Sequence, residues 1–139
     1  MKILFDTNIV LDVLLKRQPH VLASAQLFIA IENRRLTGFL AATTVTTIHY
    51  LAAKVAGRQH AQQHLTRLLT LFTVAPVTQQ VITEAMLLPF GDFEDAVLHE
   101  CARHAGVDGI VTRNSTDFTH AILPVYAPEE MLRVLHARD

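Results

Sequence analysis

Short, almost wholly apolar runs separated by longer stretches of helical periodicity limit this chain to one class of fold. The runs fall at Lys2 to Phe5, Gly38 to Ala41, Thr73 to Val77, Gly109 to Thr112 and Leu123 to Tyr126. Each is short enough for a strand and lacks the polar alternation of a sheet with one wet face. Between them, Ile9 to Lys16 read as a helix opened by the capping chemistry of Asp6-Thr7-Asn8. A second helix is expected over Pro19 to Arg34, where Val21, Leu22, Ala25, Phe28, Ile29 and Ile31 recur near the helical period. Thr43 and Thr44 read as N-caps of a helix reaching Gly57, and Ala61 to Phe72 read as its hairpin partner, with Leu65, Leu68, Leu69 and Phe72 on one face. Thr78 to Leu88 return to helical spacing until Pro89 and Gly91 break it. Asp92 to Ala105 form the next helix, Gly106 stops it, and Pro128 starts the last. Strands alternating with helices in this way predict a mostly parallel sheet, covered on both faces and joined by right-handed crossovers.

Composition narrows the function classes. Half of the 139 residues are apolar and 18% are charged, which suits one globular domain over residues 1–139, with no internal repeat or linker. The longest apolar stretch, Leu65 to Val77, is interrupted by Arg67 and Pro76 and falls short of the roughly 20 residues that a membrane span requires. The opening MKILFDTN is unlike a cleavable signal peptide. Cys101 is the only cysteine and sits in an apolar helical pattern, so a buried thiol and a reducing cytoplasm are expected. A net charge of −1 supplies no global attraction for polyanions, so a nucleic acid would have to be held by a local patch or through bound cations. Gly-rich phosphate loops are absent, against a nucleotide-triphosphate switch.

Three acids stand where chemistry collects in such sheets. Asp6 directly follows Ile3-Leu4-Phe5, at the point where a buried strand emerges and a bare carboxylate is expensive. Asp95 lies in Phe93-Glu94-Asp95-Ala96, the start of a helix, and Asp117 lies in IVTRNSTDF, where an apolar strand enters a polar turn. Each alone has an ordinary explanation as a cap, a dipole partner or a turn residue. Together, placed at the carboxyl ends of strands or at a helix start, they predict an oxygen-rich pocket for Mg²⁺ or Mn²⁺.

The segments FDTNIVLD, DFEDAV and IVTRNSTDF, in that order and spacing, resemble the PIN domain, and the resemblance covers essentially the whole chain. It implies a Rossmann-like three-layer α/β/α sandwich, an acidic cluster holding one or two Mg²⁺ or Mn²⁺ ions, and hydrolysis of RNA phosphodiesters. It also implies a homodimer and, as in VapC-type toxins, a neutralising antitoxin. By position, Asp6 and Asp95 would be direct ligands, Asp117 a direct or water-mediated one, and Asn114 a positioning group; Asp92 would be an extra ligand or a water-mediated contact. Many members place a Glu early in the helix after the second strand, where AATTVTTIHYL carries Thr47, with Glu84 and Glu94 as candidate substitutes. The alternative to a nuclease is therefore a degenerate PIN domain acting as a binding or assembly module.

Several other residues have both a functional and a plain structural reading. Arg113 could touch a phosphate or be a surface turn residue, and Lys16-Arg17 with Arg34-Arg35 could rim an RNA path or simply offset helix dipoles. His60 and His64, one helical turn apart, lack the cysteines or the HExxH pattern of zinc sites and read as an exposed polar face. His99 is expected as a structural partner near the pocket, His49 is ambiguous in the same way, and Asp12 is either a support for the site or a solvated helix residue. An Asp-nucleophile phosphohydrolase of the haloacid dehalogenase type would need an acid two residues after Asp6, and that position is Asn8.

Overall fold

Ile3, Leu4 and Phe5 are fully buried because their strand, β1 (Lys2–Phe5), is the centre of the sheet and has helices over both faces. The structure is a computed structural model describing residues 1–139. β1 pairs in parallel with β2 (Thr37–Ala41) on one side and with β4 (Gly109–Val111) on the other, with Leu4 opposite Phe39 and Ile110. β3 (Thr73–Ala75) extends the sheet beyond β2, and β5 (Val125–Tyr126) extends it beyond β4. The order is β3-β2-β1-β4-β5 and every pair is parallel.

The pleat of β1 divides the core in two. Ile3 and Phe5 face helices α1 (Thr7–Leu14), α2 (Val21–Glu32), α3 (Ala42–Ala56), α4 (Arg58–Leu71) and α7 (Pro128–Ala137). Leu4 faces α5 (Gln79–Ala85) and α6 (Phe93–Ala105), whose Val81, Ala96, Leu98 and Cys101 are buried against it. The result is the three-layer α/β/α sandwich with a parallel central sheet that the alternating pattern predicts. Phe5, Phe28 and Phe72 meet edge to face at 5.1 to 6.2 Å in the first layer. No helix is long and apolar enough to cross a membrane.

Several boundaries differ from the sequence expectation, for local reasons. Asp6 itself caps α1, which therefore starts at Thr7, and Lys16 lies just beyond its end in the left-handed region at φ 52°. Thr43 and Thr44 are inside α3 and do not cap it: β2 runs straight into the helix, so the cap position falls on Ala41. The buried hydroxyl of Thr44 instead meets that of Thr7 at 3.1 Å, tying the start of α3 to the start of α1. Gly57, at φ 90°, both ends α3 and opens α4, which begins three residues before the expected Ala61. The outer strands β3 and β5 are shorter than expected, β3 stopping just before Pro76 and β5 starting just after Pro124.

Candidate active site

From β1 the chain steps outward to β2 and β3, then crosses to β4 and β5 on the other side of β1. The order therefore reverses between β1 and β4, and the crevice beyond their carboxyl ends is where such sheets bind ligands. Asp6 is the first residue past β1, and its backbone N–H still donates to Val111 O at 3.0 Å, which fixes it to the end of β4. Its carboxylate is nearly covered, at 6% exposure. Oδ1 accepts from the Thr7 N–H at 2.7 Å and Oδ2 from the Thr112 hydroxyl at 2.7 Å. Burial nevertheless outweighs these bonds and raises the Asp6 pKa, with the nearby Asp117 charge adding to the rise and Arg113 opposing it.

The second acid arrives at the start of α6. Asp92 is the N-cap, its Oδ1 accepting from the N–H groups of Glu94 at 2.8 Å and Asp95 at 3.4 Å. Phe93, Glu94 and Asp95 thus form the first turn of the helix, where the backbone dipole favours negative charge. Even so, the Asp95 carboxyl is pushed up to about 7, first by burial and then by the charges of Asp6, Asp92, Asp117 and Glu94. Glu94 is raised too, by burial and then by Asp92 and Asp6. Four carboxylates therefore act on Asp95, and Arg113 opposes the rise only at Asp6.

The third segment leaves β4 at Thr112, which is fully buried and was not singled out in the sequence because a Thr at a strand end is unremarkable. Its hydroxyl donates to Asp6 and accepts from the Asn114 N–H at 3.1 Å, so one side chain orders both the acid and the turn. Asn114 and Asp117 are exposed, Asn114 heading the 3₁₀ turn Ser115–Phe118 that carries Asp117. Pro89, Gly91, Asp92, Thr116, Asp117, Thr119 and His120 line a cleft of about 420 Å³ beside the acids.

Asp6, Asp92, Asp95 and Asp117 are thus gathered beyond the carboxyl ends of β1 and β4, and Asn114 heads the turn that carries Asp117. Glu94 joins them, while Glu84 does not. Glu84 pairs with Arg103 at 2.9 Å and with His104, near the far end of α6. Glu84, Glu100 and His104 have ligand atoms within 4.8 Å of one another, the tightest such grouping in the chain. Arg103 already bonds both glutamates there, so the chain supplies its own cation to that cluster. The crevice acids form no group of three that tight.

Thr47 turns its hydroxyl to the Thr43 carbonyl of its own helix at 3.1 Å and adds no charge. Arg113 grips Asp12 through two bonds of 2.6 and 3.2 Å, and Arg17 lies 3.7 Å from the same fully buried carboxylate. Asp12 is therefore a buried, ion-paired residue and not a solvated one. Arg34 and Arg35 lie just before β2, at the amino ends of the strands, where Arg35 pairs with Asp139, so they do not rim the crevice. His64 contacts the Arg67 guanidinium at 3.4 Å. His99 is buried, its Nε2 accepting from the Ile122 N–H at 3.1 Å, a structural role. Cys101 is a buried thiol pushed up to about 11 by burial.

A parallel α/β/α sandwich with an acid-lined crevice at the point where the strand order reverses is the class of fold that the structure defines. Within that class the chain belongs to the PIN domain family, whose model PIN_3 matches residues 2–116. No curated protein matches the sequence. Among solved structures, a DNA-bound VapBC from Salmonella typhimurium is similar at a TM-score of 0.71 and 17% identity, covering 92% of this chain and 98% of that one. A toxin–antitoxin complex from Klebsiella pneumoniae is similar at 0.68 and 23%, covering 90% and 96%. A sarcin-ricin-loop-cleaving VapC toxin from Mycobacterium tuberculosis is similar at 0.64 and 16%, covering 78% and 86%. At these identities the likeness is one of fold.

Proposed function

We propose that this chain is a metal-dependent endoribonuclease hydrolysing RNA phosphodiester bonds, the toxin of a toxin–antitoxin pair. The observation that carries the reading is the set of mutually repelling carboxylates around Asp95, whose proton affinity is raised by Asp6, Asp92, Asp117 and Glu94 together. Such a set is stabilised by a divalent cation, and its all-oxygen donors fit Mg²⁺ or Mn²⁺ better than zinc or copper. Asp6 and Asp95 would hold the ion, with Asp117, Asp92 and Glu94 bonded directly or through water. When bound, the ion would supply an activated water near neutral pH and charge stabilisation at the phosphate.

The chain's own residues prepare that chemistry. Thr112 and the Thr7 N–H fix the two oxygens of Asp6, and the Asn8 amide donates to Oδ2 at 3.4 Å, so Oδ1 is the oxygen that keeps a further lone pair for a cation. The Asp92 cap and the first turn of α6 orient Asp95. No protein nucleophile is required, and Cys101 is buried away from the crevice with its thiol donating toward Ala75 and Pro76 carbonyls. The toxin–antitoxin complexes among the solved relatives support an antitoxin partner, and the family resemblance supports a homodimer and a cytoplasmic setting. Purified protein, freed of any partner, is expected to cut a pool of cellular RNA in Mg²⁺ or Mn²⁺. Cutting should stop with chelator and in a folded Asp6→Asn variant. Thr47 favours a second reading, a PIN domain that binds without cutting. Tight Mn²⁺ binding with intact RNA in every metal would select it.

A further inference from the structure

The chain has seven phenylalanines, and six are buried or half-buried in the two core layers. Phe93 alone is exposed, at 52%, and it stands at the first position of α6 between Asp92 and Glu94. No other aromatic ring packs on it, whereas Phe90, three residues earlier, meets Phe118 and His99. An apolar ring among carboxylates gains little from water, and folding leaves it outside both core layers. Its backbone is anchored by the Asp92 cap, so Phe93 is held at a rigid helix start, one residue from Asp92 and two from Asp95.

We propose that Phe93 is the platform on which a base of single-stranded RNA stacks when the adjoining phosphate is drawn to the acids. This rests on the nuclease reading and deepens it by naming how the substrate is gripped. A ring face accepts any of the four bases, so it supplies affinity without sequence preference. It also supplies a contact that a strongly acidic crevice cannot obtain from charge. Without a divalent cation the surrounding carboxylates repel the phosphates, so stacking and cation binding reinforce each other.

The chain has no tryptophan, so Phe93→Trp introduces a single indole at an exposed position. The probe is a single-stranded RNA hexamer with hydrolysis-resistant phosphorothioate linkages, added with Mg²⁺, beside an abasic hexamer of the same linkage. The RNA is expected to quench the indole emission and the abasic strand to leave it unchanged. Chelator should abolish the quench. In the parent chain, Phe93→Ala should weaken hexamer binding by about tenfold and Phe93→Tyr should restore it. Absence of quenching, equal quenching by the abasic strand, or unchanged affinity in Phe93→Ala would overturn the proposal. RNA cleavage without quenching leaves the nuclease standing and removes the platform, whereas quenching without cleavage does the reverse.

Discussion

At the scale of single residues, the site depends on who donates to Asp6. Thr112→Val keeps the shape and removes the hydroxyl from a covered carboxylate, a hydrogen bond to a charged group worth about 1.5–3 kcal/mol. The loss should be larger above neutrality than in acid, because the raised pKa of Asp6 lets it shed its charge sooner than an ordinary carboxyl as the pH falls. Urea denaturation in the two pH ranges measures this, and an equal loss in both would contradict it. Asp12 makes a harsher case: its fully buried carboxylate relies on the two Arg113 bonds, with Arg17 farther away. Arg113→Met should therefore cost about 3 kcal/mol in the same assay, the penalty of a buried charge that loses its partner. Asp92 separates capping from charge. Asp92→Asn should leave stability nearly intact, since Asn caps as well as Asp, while Asp92→Ala should cost about 1 kcal/mol.

At the scale of elements, what could be read in advance followed periodicity, and what could not depended on contacts between distant segments. The apolar runs located all five strands, and the break at Pro89 and Gly91 located α6, because these signals are local. The positions of Asp6 just after β1, Asp95 in the first turn of α6 and Asp117 in the turn after β4 follow from the same local signals. Thr112 was missed, since its partner is 106 residues away, and the N-cap role given to Thr43 and Thr44 failed because nothing local shows that β2 enters α3 without a loop. Choosing between Glu84 and Glu94 likewise required the fold: one lies opposite Arg103 and the other beside Asp92. Close approach also sets the limits on β2. A Cβ on Gly38 would meet Ile31 Cδ1 at 2.6 Å and the Phe72 ring at 2.7 Å, between the sheet and two helices. Gly38→Ala should therefore lower stability by about 1–3 kcal/mol through overpacking, read as a shifted urea midpoint.

For the whole molecule, the acidic crevice links stability to pH and to cations. Asp95 binds its proton more tightly in the folded state, where its pKa is about 7, than its ordinary value of 3.8 allows in the unfolded chain. Between those values the folded state holds more protons, so the contribution of Asp95 to stability falls as pH rises from about 4 to 7 and then levels off. Asp95→Asn should flatten that slope in thermal unfolding without metal, and a wild-type slope of the opposite sign that the variant abolished would contradict the assignment. On the proposed function a divalent cation would take the place of the proton, so it should stabilise the protein more at pH 8 than at pH 5. Convergence of the acids on one cation is the central claim, and Mn²⁺ binding followed by electron paramagnetic resonance at pH 8 tests it most directly. The expected result is saturable binding to the parent protein, weakened roughly tenfold or more in both Asp6→Asn and Asp95→Asn and unchanged in Glu84→Gln. Binding that is lost in Glu84→Gln but kept in the two aspartate variants would place the ion at the Glu84, Glu100 and His104 cluster and contradict the account.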